Sequence, residues 1–164
     1  MWFWVTNISL ILIVGLYLIT YVIDPTRILY KCVEDTKNQE YIKTISDNYL
    51  ATLGIKIDKQ IYYRYVKYKP DKKDPDTIVL GTFHEWNNTY YIDISIDIMT
   101  LQDELIETVQ HETRHMIVQE LKNKKIINLT KYTENIAQAK DETYIKLFDS
   151  SVKILKEEQK NGKI

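Results

Sequence analysis

The sequence has little cysteine, proline or glycine: of 164 residues, one is cysteine, three are proline and four are glycine. The lone Cys32 cannot form a disulfide within the chain, which excludes a small disulfide-stabilised scaffold. Proline and glycine are too rare for a collagen-like chain, and 45% hydrophobic residues are more than disordered proteins contain. The sequence therefore predicts a domain that folds around a hydrophobic core.

The chain also lacks an excess of either charge, since 22 Lys and Arg residues stand against 23 Asp and Glu residues. Proteins that bind nucleic acid usually carry a positive surplus, because the phosphate backbone contributes much of their affinity. A net charge of −1 therefore predicts no nucleic-acid partner.

Charged side chains are absent from residues 2–23, a run of 22 residues. A helix of that length spans roughly 33 Å, which matches the hydrocarbon core of a bilayer at about 30 Å. The segment lacks the basic start, the short apolar core and the small-residue cleavage site of a secretory signal peptide. We therefore predict a transmembrane anchor at 1–24 that contacts the lipid bilayer through 2–23, a linker at 25–30 and a folded domain at 31–164.

Basic residues follow this predicted span at Arg27, Lys31 and Lys37. Cytoplasmic flanks of membrane spans are enriched in Lys and Arg, so the pattern favours a domain on the cytoplasmic side. The single cysteine agrees with a reducing compartment. The expected protein is a single-pass membrane protein with a cytoplasmic domain.

The hydrophobic periodicity of the domain predicts a helix, three strands and two further helices. Apolar residues at helical spacing predict the first helix at about 31–53. Three β-branched and aromatic segments predict strands at 61–68, 78–83 and 89–95, with the last two joined as a hairpin. The last two helices are predicted at 101–122 and about 133–156. This order indicates an α+β domain whose helices pack on a small, mainly antiparallel sheet.

An H-E-x-x-H motif, His111-Glu112-Thr113-Arg114-His115, lies inside the predicted helix at 101–122. Residues four apart share a helix face, so both imidazoles can bind one Zn²⁺ at about 2.0–2.1 Å. Glu112 can then accept a proton from the water that the zinc activates. On a helical wheel Glu112 falls among apolar residues, where a charge is unfavourable unless it faces a cleft. The motif therefore predicts a hydrolytic zinc site.

A catalytic zinc needs a third protein ligand, and Glu134 follows His115 after 134 − 115 − 1 = 18 residues. The segment Glu134-Asn135-Ile136-Ala137 resembles the one that carries the glutamate ligand in gluzincin-type metallopeptidases, the thermolysin-like proteins among them. The resemblance implies that Glu134 is the third ligand, while Asp141 or Glu142 is the alternative.

The same resemblance bears on the residue that orients a metal-binding histidine. Thermolysin-like proteins use an aspartate one turn after the ligand, and this chain has Gln138 at that position. Either Gln138 or Asp141 could therefore hold an imidazole by its second nitrogen. Asp141 could instead be a helix cap or part of an ion pair.

The resemblance covers about residues 53–155 and includes the order of elements of a minimal zincin-like domain. The chain looks most like the small metallopeptidases of phages and mobile elements that cleave repressors, and secondarily like SprT-like proteases. These relatives imply a cleft between the motif helix and the edge strand of the sheet, which is either 78–83 or 89–95. A peptide substrate would add to that edge as a further strand.

The expected function is that of a membrane-anchored zinc metallopeptidase acting on a peptide or protein substrate. His111, His115 and Glu134 would bind Zn²⁺, and Glu112 would be the general base. His84, in the predicted hairpin turn, is a candidate donor to the oxyanion. The alternative is a catalytically silent zincin-fold protein with a structural zinc in a virion or membrane assembly. The fourth coordination position distinguishes the two, because it is open only in an enzyme.

Overall fold

Four helices and one three-stranded sheet make up the part of the chain that the computed structural model describes. The described residues are 36–66, 79–95, 99, 102–126 and 133–162. In chain order the elements are α1 (Thr36–Leu53), β1 (Ile61–Tyr65), β2 (Gly81–Trp86), β3 (Thr89–Ile94), α2 (Gln102–Asn123), α3 (Thr133–Ala137) and α4 (Glu142–Lys160). The domain is therefore α+β, as the sequence predicted.

The predicted membrane anchor at 1–24 and the linker at 25–30 lie outside the described residues. Within the described ranges, every helix is too short or too polar to cross a bilayer.

The sheet has the strand order β1-β3-β2, so that β3 is the central strand and β2 is an edge. β2 and β3 form the predicted hairpin, which turns at Asn87 and Asn88. Both asparagines have positive φ, at 50° and 60°. Two-residue hairpins favour such turns because their twist matches that of the flanking strands, and asparagine tolerates this conformation better than most residues.

The prediction of a mainly antiparallel sheet is wrong, because β1 pairs with β3 in parallel and the sheet is mixed. Parallel neighbours need a long crossover connection, and the 23 residues 66–88, which include β2, separate β1 from β3. Periodicity identified the strands but carried no information about which strand β1 would pair with.

Helices α1 and α2 pack together and against the sheet, and they contribute most of the core. In β3 the side chains of Tyr90, Ile92 and Ile94 are fully buried and belong to this core. The residues between them, Tyr91 and Asp93, are also buried although they project to the opposite face. The central strand is therefore buried on both faces. The fully buried helical residues of the core are Ile42, Val109, Met116, Ile117, Val118, Leu121, Ile136 and Leu155.

The single helix predicted at 133–156 is two helices, α3 and α4, separated by a turn. Ala139 has φ 49°, and the N–H of Lys140 donates to the carbonyl of Asn135 at 3.1 Å. This is the hydrogen bond of a Schellman motif, which ends a helix through a left-handed residue. Asp141 then begins α4, because its carboxylate accepts hydrogen bonds from the backbone N–H groups at 143 and 144. The prediction of one continuous helix at about 133–156 is therefore wrong.

Candidate metal centre

Three potential metal ligands from two helices meet beside the sheet. His111 and His115 lie one turn apart on α2, and their Nε2 atoms are 3.1 Å apart. Glu134 on α3 faces both rings, with Oε1 at 3.6 Å from His111 Nε2 and Oε2 at 3.0 Å from His115 Nε2. The structure therefore brings together the three residues that the sequence singled out as ligands.

These separations agree with the dimensions of a zinc site. Ligand atoms at about 2.0–2.1 Å from a tetrahedral zinc lie about 3.3 Å from one another. The three observed separations scatter around that value, so one ion can contact His111, His115 and Glu134 with little rearrangement. Within the described residues, no fourth His, Cys, Asp or Glu side chain belongs to the cluster. The donor set fits zinc and leaves room for one further ligand.

Both imidazoles favour the neutral form that metal binding requires. Burial lowers the pKa of His111 and of His115, and the positive charge of Arg114 lowers both further. The carboxylate of Glu134 acts in the opposite direction, as does the hydrogen bond between His111 and the backbone of Ala137. Because only a neutral imidazole is a ligand, the lowered pKa values favour metal binding near neutral pH.

Gln138 orients Glu134, whereas the sequence had suggested that it might orient a histidine. Its side-chain amide donates to Glu134 Oε1 at 2.6 Å. Glu134 lies in the first turn of α3 and Gln138 directly follows the helix, and this bond restrains a carboxylate whose side chain is 57% exposed. The alternative ligands lie elsewhere, since Asp141 caps α4 and Glu142 pairs with Lys146 at 2.7 Å.

Glu112 is the buried carboxylate of the site, with a relative exposure of 5%. Burial raises its pKa to about 8, and the charges of Glu134 and Asp93 add to that effect. A hydrogen bond with the backbone of Phe83 opposes the shift. A cation held by the neighbouring ligands would also oppose it. The carboxyl group can therefore take up and return a proton near neutral pH, as a general base must.

Gly81 allows strand β2 to approach Glu112 closely. A Cβ atom at this position would lie 2.9 Å from Glu112 Cγ and 2.9 Å from Thr108 Cγ2, closer than real Cβ contacts. Gly81 was not among the site residues predicted from sequence. A glycine within a strand pattern marks a close approach of another group, and that signal was present in a chain with only four glycines.

For the peptide hydrolysis that the sequence predicts, we expect Gly81→Ala to lower the rate by about 10- to 100-fold, because a displacement of about 1 Å of a catalytic group has effects of that size. The added methyl group must push Glu112 or β2 aside. The zinc content should stay at the wild-type level, since Gly81 does not contact the three ligands. Rate assays and metal analysis of the purified variant measure both quantities. Gly162→Ala is the control: its φ of 60° strains an alanine locally beyond the end of α4, but nothing lies within 4 Å of a Cβ there, so the activity should stay at the wild-type level. Unchanged activity in Gly81→Ala would contradict the expectation.

His84 lies within strand β2, so its predicted place in the hairpin turn is wrong. The strand begins at Gly81 and continues to Trp86, three residues beyond the predicted end. The ring stacks on Tyr91 with 4.9 Å between centroids, and its Nε2 is 3.3 Å from a guanidinium nitrogen of Arg64. A ring nitrogen that faces a guanidinium accepts a hydrogen bond. This contact does not support a role for that nitrogen as oxyanion donor.

Arg64 and Asp93, which also escaped the sequence analysis, form a buried ion pair across β1 and β3. Two hydrogen bonds of 2.6 and 2.7 Å join the guanidinium to the carboxylate. Arg64 also lies over the ring of Tyr91, at 4.6 Å from the centroid. The pair compensates the charge of Asp93, which is close enough to Glu112 to influence its pKa. Only the parallel register, which sets Arg64 opposite Asp93, creates it.

A groove of about 470 Å³ lies between α2 and β2 next to the candidate metal centre, and we call it the α2–β2 groove. Its lining residues are Phe83, His84, Glu85, His115, Val118, Gln119 and Lys122. The candidate ligand His115 therefore lies in the wall of a cleft formed with an edge strand.

No known protein family has a model that matches this chain, and searches of curated proteins and of solved structures find no similar protein.

Proposed function

We propose that this chain is a zinc-dependent metallopeptidase with a minimal gluzincin-type domain, tethered to a membrane through residues 2–23 with the domain on the cytoplasmic side. One observation carries the proposal: the ligand atoms of His111, His115 and Glu134 lie 3.0–3.6 Å apart. The buried Glu112 beside them adds the base that hydrolysis needs. The motif and the geometry support the same chemistry independently, since the motif lies on one helix and Glu134 on another.

The site residues have two roles: three of them would bind the ion, and one would transfer a proton. Zinc, when bound, supplies a Lewis acid that polarises the scissile carbonyl and acidifies a water molecule. His111 and His115 would hold the ion through Nε2, and Glu134 would hold it through its carboxylate. Glu112 accepts the proton of the attacking water and transfers it to the leaving amine. The hydrogen bond from the backbone of Phe83 restrains the Glu112 carboxylate during both transfers.

The topology favours β2 as the strand that receives a peptide substrate. β3 is paired on both sides, so of the two strands considered from sequence only β2 has an edge beside α2. The hydrogen bond between the Phe83 backbone and Glu112 shows that this residue's N–H points away from β3. The backbone N–H and C=O groups of residues two apart on a strand point to the same side. The N–H and C=O groups of Gly81 and Glu85 therefore also point away from β3, toward the open edge. An extended peptide placed there would run past Glu112 and His115.

The alternative, a structural zinc in a virion or membrane assembly, is less well supported. A structural site has four protein ligands, and the described residues supply three. The side chain of Glu134 is more than half exposed. Both observations favour a position open to water or substrate.

Peptide cleavage that depends on zinc is the expected result for the full-length chain in mild detergent. The purified protein is loaded with one equivalent of zinc and incubated with a proteome-derived peptide mixture, and new termini are identified by mass spectrometry. 1,10-Phenanthroline should abolish cleavage, and added zinc should restore it, because the ion supplies the Lewis acid. The control is 1,7-phenanthroline, which does not chelate. Cleavage that persists with the chelator, or no cleavage by the zinc-loaded chain, would overturn the proposal.

A further inference from the structure

The α2–β2 groove extends away from the metal centre along one face of α2. Val118, Gln119 and Lys122 follow His115 on this face, and Phe83 and Glu85 line the opposite wall. Residues seven apart on a helix share a face and are separated by about 10 Å along the axis. Lys122 therefore lies about 10 Å beyond His115. An extended peptide advances about 3.3 Å per residue, so this distance corresponds to about three residues.

The negative charge in the groove is already compensated. Glu85 accepts hydrogen bonds from Lys59 at 2.5 Å and from the amides of Gln119 and Asn123, both at 3.1 Å. Burial alone would raise the pKa of Glu85, but these bonds outweigh it and the pKa is lowered. The carboxylate is thus ionised, and its charge is matched by Lys59. A basic ligand entering the groove would have to compete with contacts that Glu85 already makes.

Lys122 provides the uncompensated charge of the groove. The other described lysines near it differ in this respect, since Lys59 pairs with Glu85 and Lys124 pairs with Glu120 at 3.1 Å. Among the described residues, no acidic group forms an ion pair with the Lys122 ammonium group. Its side chain lies at the rim of the groove on the face that also carries His115. Phe83 and Val118 also line the groove and provide apolar contact for the intervening residues.

We propose that the α2–β2 groove selects polypeptide substrates that carry an Asp or Glu side chain about three residues from the scissile bond, and that Lys122 pairs with that carboxylate. This inference rests on the proposed peptidase function and names the substrate class of the same site. Lys122 is a specificity-determining residue and takes no part in bond cleavage.

The test compares the cleavage preferences of full-length wild type, Lys122→Ala and Lys122→Glu, all loaded with zinc. A synthetic decapeptide library is digested, and the residues around each cleaved bond are counted by mass spectrometry. Wild type should prefer acidic over basic residues at one position by about fivefold in kcat/KM, as expected for a partly exposed ion pair. Lys122→Ala should lose the preference and Lys122→Glu should reverse it. Lys153→Glu, an exposed lysine on α4, is the matched control and should behave like wild type.

A binding measurement provides a readout that does not depend on turnover. The Glu112→Gln chain is titrated into a fluorescein-labelled decapeptide of the best-cleaved sequence, and into the same peptide with Lys in place of its acidic residue. Anisotropy should show several-fold tighter binding of the acidic peptide. The difference in affinity between the two peptides should shrink when salt rises from about 50 to 300 mM. It should vanish when the Lys122→Glu substitution is introduced into the Glu112→Gln chain.

The outcomes separate the inference from the function on which it rests. The role of Lys122 would be overturned if cleavage showed no acidic preference, or if Lys122→Glu left the preference unchanged. Either result would still support the proposed peptidase function. No cleavage by any zinc-loaded chain would overturn the proposed function and the inference with it. A reversed preference in Lys122→Glu alone would establish the inference.

Discussion

Replacing Glu112 by Gln should lower the rate of peptide hydrolysis by at least about a thousandfold, within the range known for general bases, while the chain keeps its zinc. The amide has nearly the shape of the carboxylate but cannot accept a proton from the attacking water. Glu112 does not belong to the ligand cluster, which consists of His111, His115 and Glu134. The expected signature is therefore an inactive protein with wild-type metal content. Single-turnover assays and plasma mass spectrometry measure the two quantities.

The control for this variant is Glu157→Gln, which removes the same charge from an exposed position of α4. It should retain wild-type activity, because Glu157 belongs neither to the ligand cluster nor to the lining of the α2–β2 groove. Retained hydrolysis in Glu112→Gln would contradict its role as base. Loss of zinc from that variant would instead show that Glu112 takes part in holding the metal.

The second large effect concerns metal content. The full-length wild type should bind one zinc per chain, His115→Ala should bind none at micromolar zinc, and Glu134→Ala should bind at least about 100-fold more weakly. Loss of an outer contact already weakens metal sites by 10- to 100-fold, so loss of a direct ligand should do at least as much. A competition titration against a chromophoric zinc chelator gives the affinities. Plasma mass spectrometry gives the stoichiometry.

Asp141→Ala is the matched control for Glu134→Ala, because the sequence alone left both carboxylates as candidate ligands. In the structure Asp141 caps α4 and makes no contact with the histidines. Its loss should reduce stability by about 1 kcal/mol, as for other helix caps, and leave zinc affinity unchanged. If Asp141→Ala lost its zinc and Glu134→Ala kept it, the third ligand would be Asp141. That result would contradict the arrangement described above.

Features that depend on residue spacing within one helix could be predicted from the sequence. The apolar spacing of residues 101–122 predicted a helix, and α2 occupies 102–123. The four-residue interval between His111 and His115 then placed both imidazoles on one face of that helix. The wheel placed Glu112 among apolar residues of that helix, and its side chain is 5% exposed in the structure. These predictions succeeded because helix geometry relates neighbouring residues directly.

Relations between distant segments could not be read in this way. The parallel pairing of β1 with β3 depends on how a long connection crosses the sheet, and it alone creates the Arg64–Asp93 pair. The break between α3 and α4 depends on one left-handed residue, Ala139, at which the helical pattern showed no interruption. Glu134 therefore lies on a short separate helix, and its side chain is more than half exposed.

The sequence by itself determined the motif helix, the orientation of its histidines and the burial of Glu112, because these follow from spacing along one helix. The tertiary structure alone decided that β2 is the edge beside this helix, that Gly81 makes room for Glu112, and that Glu134 meets both imidazoles. The physical reason is that these contacts join segments far apart in the chain. Local propensity and periodicity limit which elements form, whereas packing decides which side chains become neighbours.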